Sequence, residues 1–475
     1  MTSVRSTRAI PRIVLTVLLT SFGPLTRVSS AGARNANHAA EMDYLDNGVI
    51  RVGVDLNLGG AIVYLSPSPK TGVESNVINS WDWGREVQMS YYSGPVPFIV
   101  DGKRPSPNWA GLGWNPIQAG DDFGHGSKTA EHSNDGKTIF VKCVPMQWPL
   151  DDVPGDCTFE SWLTLDGPVV RARCRLNNDR SDHTQYPGRT QELPAVYTNG
   201  PYYKLMTYTG DKPFSNEALT RIEHKLGESG AAWAGWTATE NWAALVNDKD
   251  WGVGVYNRGC YAFSGGFAGT PGAGGEHDNP TGYIAPNRIE ILDHDIRHEY
   301  AYELILGSLD EIRRHVYQVA ARPAPPAWRF ADDRRGWSYV NAVDTGWPIK
   351  GELNVLLEKD DPQLIGPRSF WQAADAPTLR IEAALHSKEK NAQVFWATHA
   401  DSKFSQDKCI TFDMTPDDEF HTYKVRLSDS PVYRGAITQL RFDPVPSGSK
   451  GDWVRVKSIS FTTGAQDRPA TRRAD

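Results

Sequence analysis

The sequence predicts an all-β protein built as two successive sandwich-like domains. Three observations carry that prediction. Apolar and polar side chains alternate with a period of two in segment after segment, most clearly where Val170, Ala172, Cys174 and Leu176 are interleaved with Arg171, Arg173 and Arg175. Turn formers are dense, with 43 Gly and 32 Pro in 475 residues, as short strands joined by many turns require. Only one segment has a strong helical pattern, and it runs into a proline cluster, Arg322 to Pro326, after which the strand pattern restarts.

The first residues have the features of an export signal. Arg5, Arg8 and Arg12 precede an apolar run from Ile13 to Leu19, and small residues follow from Ser29 to Ala33, so 1–33 is expected to be a cleaved signal peptide. That run is too short to span a bilayer, and no later stretch reaches about 18 apolar residues. The expectation is a secreted or periplasmic protein with no membrane partner. Removal of 1–33 moves the formal charge from -7 to about -11. Nothing basic then remains to attract nucleic acid. Five cysteines (Cys143, Cys157, Cys174, Cys260, Cys409) leave at least one unpaired. Cys143, Cys157 and Cys174 lie in neighbouring strand-like segments, where one disulfide has room to form. No spacing matches a zinc or haem motif, and neither a metal nor a cofactor is expected.

Residues 34–42 read as an unstructured lead-in. Ile50, Val52, Val54 and Leu56 then alternate with Arg51, Gly53 and Asp55 as a first strand, and Gly59-Gly60 turns the chain into a second, Ala61 to Leu65. This hairpin, with its Gly59-Gly60-Ala61-Ile62 and Leu65, is followed by a loop ending in Asn76 to Asn79 and then Gly84-Arg85. Together they resemble the start of galactose-mutarotase-like β-supersandwich domains, found in sugar epimerases and as parts of glycosidases and polysaccharide lyases. The resemblance implies a supersandwich over 42–321. It does not imply mutarotation, because the family's two histidines and late glutamate have no recognisable counterpart. Further strands are expected at Thr138–Val144, Cys157–Leu165, Val170–Leu176, Trp242–Val246, Gly252–Tyr256 and Tyr300–Leu306. The outer arginines of Val170–Leu176 are expected to face solvent. Ser308 to Glu311 form a capping box, and Leu309, Ile312, Val316 and Val319 repeat at helical spacing through Ala321.

After a linker at 322–331, strands are expected at Thr378–Ala383, Val394–Thr398, His421–Leu427, Ile437–Phe442 and Val454–Phe461. The strings VFWATHADSKFS, DDEFHTYKV, QLRFDP and VRVKSISF resemble jelly-roll modules appended to secreted carbohydrate-active proteins, over 332–464. Such modules bind sugar or pack on their partner, and Trp371, Trp396 and Tyr433 are the candidate stacking rings. Residues 465–475 read as a disordered tail.

The chemistry is expected to centre on Asn76 to Pro95, NVINSWDWGREVQMSYYSGP. Carboxylate, amide and guanidinium groups crowd there beside flat rings, the set that binds sugar hydroxyls and stacks on a pyranose face. Asp82, Trp83, Arg85, Gln88, Tyr91 and Tyr92, with Asn115 and Gln118 of WNPIQAGDDFGHGS, are the candidate substrate-binding residues. Hydrolysis of a glycosidic bond needs two carboxyls, one protonated and one ionised. Glu192 of RTQELPAVYTNGPYY, read as lying in a polar aromatic loop, is the leading candidate, with Asp122 or Glu240 as its partner and His125 as a further acid or base. Asp121 and Asp122 have turn or calcium-binding roles as competing readings. The leading expectation is thus a glycoside hydrolase acting on an oligo- or polysaccharide. The alternative is a polysaccharide lyase, with Tyr91, Tyr92 or His125 moving the proton and Arg85, Asn79 and Gln88 neutralising a uronate. A non-catalytic glycan binder is the third reading. No P-loop, dinucleotide fingerprint or nucleophile elbow is present. His294 and His298 lie in an extended pattern, where they would not converge on a metal.

Overall fold

The computed structural model describes residues 39–72, 75–223 and 233–462; the signal-peptide and tail readings lie outside them. The described chain is dominated by antiparallel strands, with one α-helix, Leu309–Val319. The N-terminal region holds a three-stranded, a nine-stranded and a seven-stranded sheet, and the C-terminal region holds a pair of six-stranded sheets.

Alternation decides which side of each strand is covered. In Val169–Asn178 the residues Val170, Ala172, Cys174 and Leu176 point into one large core, together with Val52 and Ile62 of the small sheet and Leu193 and Ile284 of the seven-stranded sheet. Arg171, Arg173 and Arg175 point outward. Arg171 pairs with Asp166 and Glu303, Arg175 with Glu160 and Glu299, and the Arg173 guanidinium lies 3.9 Å from the centre of the Trp162 ring. They form a partnered outer face, where each exposed pair contributes little stability.

The cysteines remain thiols. In the ladders Cys143 stands opposite Phe159, Cys174 opposite Ser161 and Cys157 opposite Asn178, so no two of them face each other and the disulfide that the sequence allowed is not formed. Burial pushes the Cys143 and Cys174 thiols up to about 12.

Ser308 caps the helix as its sequence demands. The Ser308 hydroxyl accepts from the Glu311 amide, and Glu311 Oε2 accepts from the Ser308 amide at 2.8 Å. Ile312 and Val316 pack against Trp242 and Ile305. Gly254 makes this possible, because a Cβ there would lie 2.4 Å from Ile312.

Trp328–Arg329, within the stretch read as linker, pairs with the final strand Trp453–Thr462 of the C-terminal region. Trp371, Trp396 and Tyr433, expected as stacking residues, are core: they are buried, and Trp371 Nε1 donates to the Tyr433 hydroxyl, which donates to the Ala376 carbonyl. A buried ion network joins the two regions. Arg334 donates to Asp293 of the N-terminal region at 2.5 Å and to Asp344 of the C-terminal region at 2.5 Å, Gln185 reaches Asp344 at 2.7 Å, and Ile291 is shared with the C-terminal core.

Candidate functional site

The site is built on the outer face of the seven-stranded sheet. Strand Arg189–Asn199 lies between Gln88–Ser90 and Thr281–Glu290, with Glu192 opposite both Ser90 and Asn287. The register slips after Glu192, in the stretch containing Pro194, which has no N–H to give to the ladder. Glu192 is therefore on a strand, at the edge of a bulge, rather than in the loop that its proline suggested.

Its two oxygens are held from opposite sides. The Tyr283 hydroxyl donates to Glu192 Oε1 at 2.6 Å and the Tyr92 hydroxyl to Oε2 at 3.1 Å, while Ser90 Oγ donates to the Tyr92 hydroxyl at 3.0 Å. Burial raises the Glu192 carboxyl above the usual range, and the donors offset only part of that rise. Burial and the nearby Glu192 charge push the Tyr92 and Tyr283 phenols well above 10, which makes them firm donors. Tyr197 and Trp233 pack on Tyr283 with ring centres 4.7 and 5.0 Å away, giving the face an aromatic wall.

The loop after Asn79 supplies the second charge. Asp82 Oδ1 accepts from the Gly84 amide at 3.0 Å, its Oδ2 pairs with Arg85 Nε at 3.1 Å, and Arg85 is anchored on Asn279. The Tyr197 phenol is raised by burial first and then by the charges of Glu192 and Asp82, so both carboxylates bear on one ring. A Cβ on Gly84 would stand 2.9 Å from Trp148, so only glycine admits that indole beside Asp82. Trp148 meets Trp109 edge to face at 6.0 Å, and Trp109 Nε1 donates to Asp122 Oδ2 at 2.9 Å.

Other expected members fall elsewhere. Just past the strand Gln88–Ser90, Tyr91 points away from the side taken by Ser90 and Tyr92 and is fully buried against Phe159 and His298, so it is core. Gln88, Asn115 and Gln118 are buried amides that hold backbone. Gln88 joins the Trp83 carbonyl to the Ala119 amide, Asn115 donates to the Tyr91 carbonyl, and Gln118 joins the Met89 amide to the Gly59 carbonyl. Their hydrogen bonds fix the backbone around the site. Trp83 packs with Leu58, Ala61 and Ala119.

Glu240 is not part of the site. It is fully buried under the helix, where it accepts from the Phe214 amide, Arg313, the Tyr317 hydroxyl and Trp242 Nε1. A carboxylate enclosed by four donors has no path to a substrate. His125 pairs with Asp121 at 2.8 Å and lies 3.6 Å from Asp151, while Asp121 also accepts from the Phe123, His125 and Asp152 amides, so this acid holds a turn together. His294 stacks on His183 at 3.8 Å, whereas His298 sits beside Tyr91 and Glu290. Sequence reasoning missed Tyr283, Trp109, Trp148 and Trp233. The alternation TGYIA could have exposed Tyr283 as a ring on a strand of small residues.

No protein-family model matches the sequence, and no curated protein matches it. Among solved structures, this chain is similar to a galactose mutarotase-like protein from Lactobacillus casei, at 12% identity and a TM-score of 0.36, over 56% of this chain and 99% of that one. It is also similar to a 4-alpha-glucanotransferase from Thermococcus litoralis, at 11% identity and a TM-score of 0.30, over 58% of this chain and 40% of that one. A low-affinity xylan binding module from Roseburia intestinalis matches over 30% of this chain and 98% of its own, at 10% identity and a TM-score of 0.22. These likenesses concern strand layout.

Proposed function

We propose that this protein is a carbohydrate-active enzyme that hydrolyses glycosidic bonds, with Glu192 as general acid and Asp82 as the second carboxylate. The observation that carries the reading is Glu192 itself: a half-buried carboxyl on a sheet face, raised by burial and held by Tyr92 and Tyr283 beside an aromatic wall. A carboxyl kept protonated toward neutral pH can protonate a departing sugar oxygen, and a second carboxylate, assigned here to Asp82 in the loop after Asn79, can activate water or attack the sugar. Tyr197, Trp233 and Trp148 supply rings for the apolar face of a pyranose, and Asp122 is the alternative second carboxylate. Elimination from a uronate fits these residues less well. The Tyr92 phenol is raised, the wrong direction for a proton-abstracting base.

The test is to incubate the full chain with neutral and uronate-containing oligosaccharides, following new reducing ends and the ultraviolet absorbance of unsaturated uronates together. Reducing ends without absorbance, abolished by Glu192→Gln and strongly reduced by Asp82→Asn, are expected. A matched rise in absorbance would replace hydrolysis by elimination. Activity retained in Glu192→Gln would remove that residue from the mechanism.

A further inference from the structure

A pocket opens beside the loop after Asn79, with none of Glu192, Tyr92 or Tyr283 in its wall. Trp81 and Trp83 line it, whereas Asp82 between them pairs with Arg85. Its volume is about 500 Å³, within the range of small-ligand sites. Tyr64, Glu86, Glu276 and His277 complete the wall that matters chemically.

The charge of this pocket is one-sided. Among its described lining residues there is no Lys or Arg. Glu276 is held in place by Asn76 through Oε2 and lies 3.4 Å from His277 through Oε1. Glu86 is fully buried; Gln88 donates to its Oε2 at 3.3 Å, while Oε1 has no hydrogen-bond partner. A buried carboxyl oxygen without a partner is costly, and it is relieved by any ligand that brings a donor. Tyrosine and tryptophan faces around it favour a cation and the apolar face of a sugar ring, and the acidic wall disfavours an anion.

From the lone carboxyl oxygen of Glu86, the acidic wall and the flanking rings, we propose that this pocket is a binding site for an amine-bearing pyranose. The ammonium pairs with Glu86 and Glu276, the ring stacks on an aromatic face, and a hydroxyl reaches Ser80 at the pocket wall. Burial keeps the Glu86 carboxyl well above its usual range, with the Asp82 and Asp55 charges adding to the rise, so an arriving ammonium displaces its proton and binding weakens as the pH falls.

Isothermal titration calorimetry on the full chain at neutral pH, with glucosamine, glucose and glucuronate as probes, tests this. Heat of binding needs no turnover, so the outcome is independent of the hydrolysis assay. Glucosamine is expected to bind about tenfold more tightly than glucose, and glucuronate more weakly than either. Glu276→Gln is expected to weaken glucosamine about tenfold, and Glu192→Gln to leave it unchanged. Glu86→Gln serves as the second variant if Glu276→Gln does not fold. Equal affinities for the three sugars, loss of binding in Glu192→Gln with retention in Glu276→Gln, or no binding of glucosamine up to about 10 mM would each overturn the proposal.

Discussion

Tyr283 donates its hydroxyl to Glu192 across two neighbouring strands, at 2.6 Å. The bond favours the ionised carboxylate while burial favours the protonated acid, and burial prevails. Removing the donor therefore moves Glu192 further upward. Tyr283→Phe is expected to shift the alkaline limb of the activity profile to higher pH and to lower kcat about tenfold, whereas Glu192→Gln lowers it by about 10³-fold or more. An unshifted profile in Tyr283→Phe would separate the two residues functionally.

Glu86 makes stability depend on pH in a defined direction. Its folded-state carboxyl sits well above the ordinary carboxylate range, so the unfolded chain releases this proton first as pH rises. The contribution of Glu86 is fully present below that ordinary range and is lost as pH climbs through the folded value. Glu86→Gln is expected to flatten the fall in Tm toward alkaline pH, measured by calorimetry across a pH series. Parallel curves for variant and parent would show that Glu86 does not set the slope.

Glu240 is predicted to matter for folding. Glu240→Ala leaves the part-buried Arg313 without its counter-charge and three further donors without their acceptor, and its cost is about 3–5 kcal/mol. A large drop in Tm with an unchanged KM in the folded fraction is the expected pair of results. A large rise in KM without loss of Tm would return Glu240 to the site.

Arg334 is the corresponding prediction for the join between the two regions. Burial opposes its charge, but the Asp344 and Asp293 carboxylates more than reverse that, holding the guanidinium above its ordinary value. Arg334→Met leaves two buried acids facing each other, at a cost of about 3–5 kcal/mol. Calorimetry is expected to resolve two unfolding transitions in place of one cooperative event.

These residues also show how far the sequence could be read. Alternation in Val169–Asn178 and the Ser308 capping box were legible because each depends on neighbours a few positions away. Glu192 was legible as a candidate by its polar and aromatic company, but its strand was hidden by Pro194, whose missing N–H is absorbed by a bulge that only the partner strands reveal. Tyr91 and Tyr92 look equivalent in sequence. The pleat turns one to Phe159 in the core and the other to Glu192. Glu240 and the amides of Gln88 and Gln118 misled for a common reason. A buried polar side chain satisfied by distant backbone or by a helix has the same local sequence as one awaiting a ligand.

The Arg334 network also bears on how the proposed hydrolase would handle a long substrate. With Asp293 and Asp344 gripping one guanidinium, the stretch between the regions acts as a splint and not as a leash. Any glycan segment resting on the C-terminal region would meet the Glu192 face at one fixed span and angle. Local enrichment of substrate would then follow the match between chain length and that span, instead of decaying smoothly with the reach of a flexible arm.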